Sequence, residues 1–527
     1  MKKGPTSGRR LGKAAPSAYA ARIAEHERRK AKALAMGSPR KLAEMRSAGL
    51  LNARERIAAL LDKGSFTESG LFAVSERPDD HDRTPADGVV CGYGAIDGRM
   101  VAVAASDFTV IGASSARIAG RKYSHINKVA REQGMPLVVL SECAGARMPD
   151  IMGASGIGEG EGSRNPNFFN RTRANPWVTA VLGPSYGDGI WRPMLSDLVV
   201  QRKGAIMAVS STNVTAVAIS EEVDPNDLGG WEMRSGVTGE TDVVAETDLE
   251  ALAAVKRFLS YMPSHNLEMP PRAPVPRGSD EAIGKILDLV PEARQQVYDV
   301  RKVIAAVVDK DSFFPIKERF AKVAVTGLAR IDGHPVGIVA TNPMVKGGAL
   351  DPAGCRKITS LIVLCDSFNI PMVFLTDTPG FLVGIEGERE GLGGKIMNFI
   401  QALEMSTVPR FAVILRKAYG MAYLNMASKH SEMAAWFTAE VSFMDPGVGV
   451  NVVYGVRRDQ DPEKFAALRE RLARNTSAYD LGGADLAHAV IDPRETRDYL
   501  KRMLAVYRMR PTGGIGEHRL RYWPTSF

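Results

Sequence analysis

Residues 411–426, FAVILRKAYGMAYLNM, decide how the rest of the chain is read. The apolar run at 411–415 has the composition of a short buried strand. A basic pair follows, then Tyr419-Gly420, then small and apolar residues that read as the start of a helix. A strand that turns directly into a helix presents backbone N–H groups with no acceptor inside the helix, and such groups stabilise a negative oxygen. A related segment, AVLGPSYGDGIW, stands at 180–191. Two strand–Tyr-Gly–helix turns in one chain point to a duplicated protein that holds two oxyanions.

The duplication runs well beyond the turns. IDGRMV at 96–101 returns 235 residues later as IDGHPV at 331–336, and at the same spacing GMPLVVLSECAG is answered by NIPMVFLTDTPG. Tyr186-Gly187 meets Tyr419-Gly420 at a spacing of 233, and LDKGSF at 61–66 resembles VDKDSF at 308–313. The change in spacing is absorbed by a polar, turn-rich insertion, PDDHDRTPADG. VKRFL at 255–259 and LKRML at 500–504 close each half with a basic amphipathic helix. A collinear series of this kind is the signature of an internal repeat. Between the halves, EMPPRAPVPRGSD at 268–280 carries prolines that forbid helix, and it reads as a linker. The expected organisation is a basic extension at 1–40, one domain at 41–268, a Pro-rich linker at 269–280 and a second domain at 281–527. Short apolar strands at 101–105, 137–140 and 206–209 in the first half, and at 336–340, 372–375 and 411–415 in the second, alternate with helical patterns at 116–133 and 356–367. That alternation predicts an α/β fold with largely parallel sheets, whose ligands collect beyond the carboxyl ends of the strands.

Bulk composition agrees with an ordinary globular chain: 527 residues, 45% hydrophobic and 24% charged. The net charge of +8 is concentrated in the first 35 residues, which hold ten Lys and Arg against two Glu. A folded body near neutrality argues against a nucleic-acid enzyme. No apolar run is long enough to span a membrane, and no secretory segment is present. The amino end reads as a solvated extension, with a mitochondrial transit peptide as the alternative; the expected location is the cytoplasm, or the mitochondrial matrix under that alternative. Cys91, Cys143, Cys355 and Cys365 are scattered and form no metal-binding or disulfide pattern, so no metal is expected.

From about residue 50 onward the chain resembles the carboxyltransferase (β) subunits of biotin-dependent acyl-CoA carboxylases, of the propionyl-CoA and methylcrotonyl-CoA carboxylase type. The resemblance is carried by LNARERIAALLDKGSFTE, DGVVCGYGAIDGR, SDFTVIGAS, AGAR at 144–147, FNIPMVFLTDTPGF, STVPRFAVILRKAYGMAY, SKH at 428–430 and FTAEVSFMDPGV. It implies two tandem crotonase-like domains arising by duplication and a homo-oligomer, a hexamer in the family. The implied reaction moves carboxylate from carboxybiotin, carried on a separate protein, to the α-carbon of an acyl-CoA by way of a thioester enolate. Biotin carboxylase and biotin carboxyl carrier subunits are the implied partners, with neither nucleic acid nor membrane involved. By position, the amides of Gly187 and Asp188 are expected to hold the thioester oxygen, and those of Met421 and Ala422 the ureido oxygen of biotin. Gly420, Tyr419 and Lys417 fall on the biotin side. Ser114, Arg117, Ala146, Arg147 and Leu424 fall on the CoA and acyl side, and Arg121 and Lys122 share the helix with Arg117.

The chain departs from the family pattern in four places. Asp188 replaces a glycine in the first turn, where a carboxylate beside a developing enolate opposes it. Met421 replaces a glycine in the second turn. GLGGKIMN at 391–398 and the loop at 148–175, with GIGEGEGSRNPNFFNRTRANP, are both unlike the family's. These departures leave open a decarboxylase of the same family, with or without biotin, and a non-catalytic scaffold subunit of a carboxylase complex. Several residues have plainer readings: His430 as a packed helix residue, the glycines at 156–162 as a loop whose Glu159 and Glu161 repel anions, and Arg171 and Arg173 as equally loop or ligand contacts.

Overall fold

Each half contains a β-hairpin that turns on Asp-Gly. Asp97 and Gly98 have φ of 50° and 78°, and Asp332 and Gly333 have 51° and 76°. A two-residue hairpin loop of this kind needs both residues left-handed, which Asp-Gly adopts at low cost. The aspartates of the repeated LDKGSF and VDKDSF motifs lock these turns. Asp62 accepts from the amides of Asp97 and Gly98 at 3.1 and 2.8 Å, and Asp309 accepts from those of Asp332 and Gly333 at 3.1 and 2.7 Å.

The structure, a computed structural model, describes residues 18–158, 169–427 and 431–524. The basic residues before position 18, Glu159, Glu161 and the SKH motif with His430 lie outside the described residues. The first half builds strands β1 (Thr67–Ser69), β2 (Val89–Ile96), β3 (Arg99–Ser106), β4 (Leu137–Cys143), β5 (Trp177–Tyr186), β6 (Leu198–Arg202), β7 (Met207–Ala208) and β8 (Val243–Ala245). The second builds β9 (Phe314–Ile316), β10 (Ala324–Ile331), β11 (His334–Thr341), β12 (Met372–Thr378), β13 (Arg410–Tyr419), β14 (Glu432–Trp436), β15 (Glu440–Ser442) and β16 (Ala489–Ile491).

The two eight-stranded sheets have one topology. The first runs β1-β2-β3-β4-β5-β6-β8 with β7 on β5, and the second β9-β10-β11-β12-β13-β14-β16 with β15 on β13. In each, an antiparallel hairpin leads into strands that pair in parallel. Both sheets carry an irregularity at the same place, between Ser141 and Cys143 and between Thr376 and Thr378. The helices Arg117–Glu132 and Pro352–Ser367 make the crossovers from β3 to β4 and from β11 to β12. The expected third strand of the first half, at 206–209, is only the two-residue β7 at the end of β5. The counterpart of β13 is β5, whose Gly183-Pro184 interrupts the apolar run that marks a buried strand.

Residues 269–276 form neither helix nor strand. The halves nevertheless share a core: Val255, Phe258 and Leu259 of helix Asp248–Tyr261 belong to one apolar cluster with Phe314, Ile316 and Leu328 of the second sheet. Arg330 reinforces this seam by donating to the carbonyls of Ser260, at 2.6 Å, and Pro271, at 2.8 Å. The repeat extends to buried charge. The ammonium of Lys122 donates to the carbonyls of Ala86 and Val89, and its counterpart Lys357 to those of Phe320 and Ala324. Lys122 and Lys357 are 8% and 2% exposed. Lys122, expected on the CoA side, is therefore part of the fold, because its charge is spent on carbonyls beside the hairpin strand.

Candidate functional site

Beyond the carboxyl ends of β4 and β5, two loops meet. The loop after β3 passes through Gly112, at φ 62°, and forms a lone parallel bridge from Ser115 to Ala146 in the loop after β4. Ser115 donates to the Gly145 carbonyl at 2.9 Å and accepts from the Arg147 amide at 2.8 Å. The residue straddled by such a bridge turns its own N–H the other way, so the Ala146 amide faces away from Ser115. Gly145 sits at φ 103°, and a β-carbon on Gly187 would stand 3.9 Å from its α-carbon, so this loop adjoins the Tyr-Gly turn. The second half repeats the arrangement. Leu350 bridges Phe381, donating to Gly380 at 3.0 Å and accepting from Leu382 at 2.8 Å, which leaves the Phe381 amide facing away. Phe381 was not among the expected site residues, and Ala146 was expected only as a substrate contact. The one signal for an amide role at both is the doubled Gly, Gly145 and Gly380, at equivalent positions.

The turn places the remaining donors. Gly187, at φ 57° and ψ −117°, caps helix Asp188–Leu195, and its own amide donates to the Val209 carbonyl at 3.1 Å. The expectation that Gly187 supplies an oxyanion donor is corrected: Val209, the residue after β7, lies alongside the turn and takes that hydrogen. Asp188 is the first residue of the helix, where an amide has no acceptor in its own helix. In the second half Gly420, at φ 63°, opens helix Gly420–Ala427, and the 233-residue spacing makes Met421 the counterpart of Asp188 and Ala422 that of Gly189. The expected pairs, Gly187 with Asp188 and Met421 with Ala422, are thus one residue out of step. The repeat aligns Asp188 with Met421.

The Asp188 carboxylate does not stand unpaired beside the turn. It is ion-paired to Arg192, one helical turn on, and accepts from Ser115 Oγ at 3.1 Å. The Arg192 guanidinium lies 3.7 Å from the centre of the Tyr123 ring, which itself shares a hydrogen bond with Ser106 at 3.0 Å. Burial pushes the Arg192 pKa down, and the Asp188 and Tyr123 partners more than reverse it, so the net shift is upward. The carboxylate is therefore matched by a fixed positive charge, and the electrostatic conflict expected from the sequence is removed within the chain itself.

Other expected site residues divide by exposure. Arg147 is 3% exposed, bound to Asp87 at 2.7 Å and donating to Ser114 Oγ at 3.2 Å. Arg147 is committed to Ser114 and to Asp87, so the pair fixes the loop rather than offering a charge to substrate. Arg117 and Arg121 both reach Glu76, at 3.1 and 2.8 Å. Arg171 and Arg173 both pair with Asp197, which makes the loop reading the one the structure supports. Tyr419 is buried, its hydroxyl held by Arg294 and by Glu440 at 3.0 Å, so its ring does not line the turn. The Lys417 ammonium stands 3.6 Å from Asp377, which also binds Arg416 at 3.0 Å. Lys417, expected on the biotin side, therefore has its charge matched within the chain. Ala422 is fully buried, whereas Met421 and Leu424 are 51% and 42% exposed and form the open surface of the second turn. No cluster able to hold a metal ion occurs among the described residues.

Two duplicated, largely parallel sheets, each with a strand that passes through a left-handed glycine straight into a helix, make up a crotonase-like α/β fold. The chain belongs to the carboxyl transferase family: residues 44–519 match the Carboxyl transferase domain. It is 35% identical over 509 residues to the propionyl-CoA carboxylase carboxyltransferase subunit of Haloferax mediterranei, covering 93% of this chain and 96% of that one. It is 33% identical over 491 residues to the methylmalonyl-CoA decarboxylase subunit alpha of Veillonella parvula, covering 90% and 94%. A solved structure of transcarboxylase 12S, a hexamer with methylmalonyl-coenzyme A bound, superposes with a TM-score of 0.85 at 32% identity, covering 94% of this chain and 97% of that one.

Proposed function

We propose that this protein moves carboxylate between carboxybiotin, carried on a separate protein, and the α-carbon of an acyl-CoA. In this reading the thioester oxygen sits in the first-half site between the amides of Ala146 and Asp188. Loss of the α-proton then places negative charge on that oxygen, where oriented N–H donors at a helix start stabilise it. The Phe381 and Met421 amides take the ureido oxygen of biotin in the same way, so that the ureido nitrogen becomes the proton acceptor once carboxylate has left. No side-chain base is required. The observation that carries the reading is the repetition: two structurally equivalent amide turns, each opposed by a bridged loop.

The sites belong to different halves of one chain, so the reading also calls for an assembly in which the first half of one copy faces the second half of another, with biotin carboxylase and carrier proteins as partners. Helices Thr212–Ile219 and Pro446–Tyr454 follow β7 and β15 and present apolar surfaces, with Val217 and Val452 82% and 67% exposed. Equivalent faces of this kind fit a homo-oligomer, and a hexamer is the form proposed. The boundaries proposed for the working units are 41–268 and 281–527.

The test is transfer of labelled carboxylate from carboxybiotin to a panel of short acyl-CoAs by the full-length protein, together with a thermal-shift screen of the same CoA esters. A ligand at about a hundred times its Kd adds about 2.7 kcal/mol of stability. Failure of every CoA thioester to bind overturns the reading. A second reading, a decarboxylase, is favoured by the similarity to the Veillonella subunit and by Met421 in the biotin-side turn. Loss of CO₂ from a malonyl-type CoA gives the same enolate, and CO₂ release by the isolated protein without biotin selects it.

A further inference from the structure

The two halves differ in what holds their turns. Ahead of helix Val300–Val307, residues 291–296 form neither helix nor strand. They are pinned to β13 by Arg416, which is 4% exposed, binds Asp377 of β12 at 3.0 Å and donates to the carbonyls of Pro291, Ala293 and Gln296 at 3.1, 3.1 and 3.0 Å. The pinned loop carries Arg294. Its guanidinium meets Glu440 of β15 and Asp445, each at 3.0 Å, and donates to the Tyr419 hydroxyl, which donates in turn to Glu440 at 3.0 Å. Asp445 caps helix Pro446–Tyr454 by accepting from the amides of Gly447 and Val448 at 2.8 and 3.2 Å. One side chain therefore joins the last residue of β13, the short strand beside it and the start of the helix that follows. Gly420 lies against the same stretch: a β-carbon on it would stand 3.2 Å from the Phe443 carbonyl oxygen.

The first half has no such clamp among the described residues. In the register of β7 on β5, Ile206 takes the place of Glu440, and the helix cap Ser211 that of Asp445. Gly183 stands where β13 has Arg416. The stretch ahead of the matching helix Ala53–Leu60 folds as helix Pro39–Ser47 and lies on the loop after β3, with Ser38 donating to the Thr109 carbonyl at 3.3 Å and the Lys41 ammonium 5.5 Å from the centre of the Phe108 ring. The repeat is thus broken by three charged groups that converge on one tyrosine. A guanidinium suits this place because its planar fork reaches several acceptors at once in a fixed geometry.

Resting on the assignment of the Met421 amide to the ureido oxygen of biotin, we propose that Arg294 is a positioning residue for transfer from carboxybiotin. It fixes where Tyr419 ends and where the stretch beside Gly420 lies, and so the direction in which the Met421 N–H points. It touches neither substrate; it acts through the Tyr419 hydroxyl and the two carboxylates. A donor displaced by a fraction of an ångström loses much of its effect on a developing charge.

The test is transfer of labelled carboxylate by the full-length protein to acetyl-, propionyl- and butyryl-CoA with carboxybiotin varied, accompanied by titration of the same esters and by melting temperatures. Arg294→Gln and Tyr419→Phe are each expected to lower kcat/KM for carboxybiotin on the order of tenfold, and the double variant no more than either alone, because both remove one path of action. Affinity and stoichiometry for the acyl-CoA stay at wild-type values, which loss of folded protein would not allow. Arg294→Lys keeps the charge opposite Glu440 and Asp445 without the fork, and is expected to retain the melting temperature while keeping the transfer defect. Losses that multiply in the double variant, acyl-CoA affinity that falls in parallel, or a wild-type rate in Arg294→Lys overturn the proposal and leave the carboxybiotin reading standing. A wild type that transfers carboxylate to none of the three esters overturns both.

Discussion

Asp188 carries two separable properties, an amide and a carboxylate, and substitution distinguishes them. Asp188→Pro removes the N–H at the first helical position, where proline is tolerated. Transfer to acyl-CoA is expected to fall on the order of a hundredfold or more with the fold retained, the usual cost of one oxyanion donor. Asp188→Asn keeps the amide but leaves Arg192 without its carboxylate partner; its expected effect is a drop in melting temperature larger than its effect on turnover. A rate loss equal to that of the proline variant contradicts this division of roles. Lys357 gives a prediction in pH. Burial first, and then the nearby Lys317 charge, lower its pKa to about 7 from the ordinary 10.5. Between those values the unfolded chain holds the extra proton, so stability rises with pH across the window, by at most about 1.4 kcal/mol per pH unit. Denaturant midpoints measured between about pH 7 and about pH 9.5 should therefore climb more steeply in the wild type than in Lys357→Met. Parallel profiles contradict the assignment.

At the scale of elements, the recurring unit is a strand that ends in a left-handed glycine and passes at once into a helix. The strand fixes where the helix starts, and the bridged loop from the neighbouring strand closes the other side. In the second half the unit is open to solvent at Met421, whose side chain does not replace the amide it carries. Met421→Pro is expected to abolish transfer from carboxybiotin while binding of acyl-CoA, read by titration, is unchanged, because the two oxygens are assigned to different halves. Equal losses of both contradict a division of labour between the turns. The sequence made these turns legible through Tyr-Gly after an apolar run, and made the hairpins legible through Asp-Gly. It did not reveal β5 as a full strand, because Gly183-Pro184 breaks the hydrophobic signal. Nor did it reveal the alternative employment of the Gly187 amide, which depends on β7 arriving from more than twenty residues away.

For the whole molecule, the duplicated halves are joined by a common core, yet each leaves apolar side chains exposed on the helix that follows its short strand β7 or β15. Val217→Asp or Val452→Asp places a charge on that face, and each is expected to shift the assembly toward smaller species in sedimentation with the monomer fold intact. Unchanged sedimentation contradicts the proposed contact. Much of the architecture could be read from the chain alone: spacings of 235 and 233 residues between like motifs, alternation of strand and helix, and a proline-rich join are properties of local pattern. What the tertiary structure alone decided is which polar groups are spent. Arg147, Lys122 and Lys417 read in sequence as charges awaiting a ligand. Folding brings Asp87, the carbonyls of Ala86 and Val89, and Asp377 to them, and no spacing announces those meetings. The neutralisation of Asp188 is of the same kind: one partner lies a helical turn away, but the other, Ser115, comes from across the sheet. Pattern along the chain specifies elements because backbone geometry is local. The charge available at a site is a sum over neighbours in space, which only the folded chain assembles.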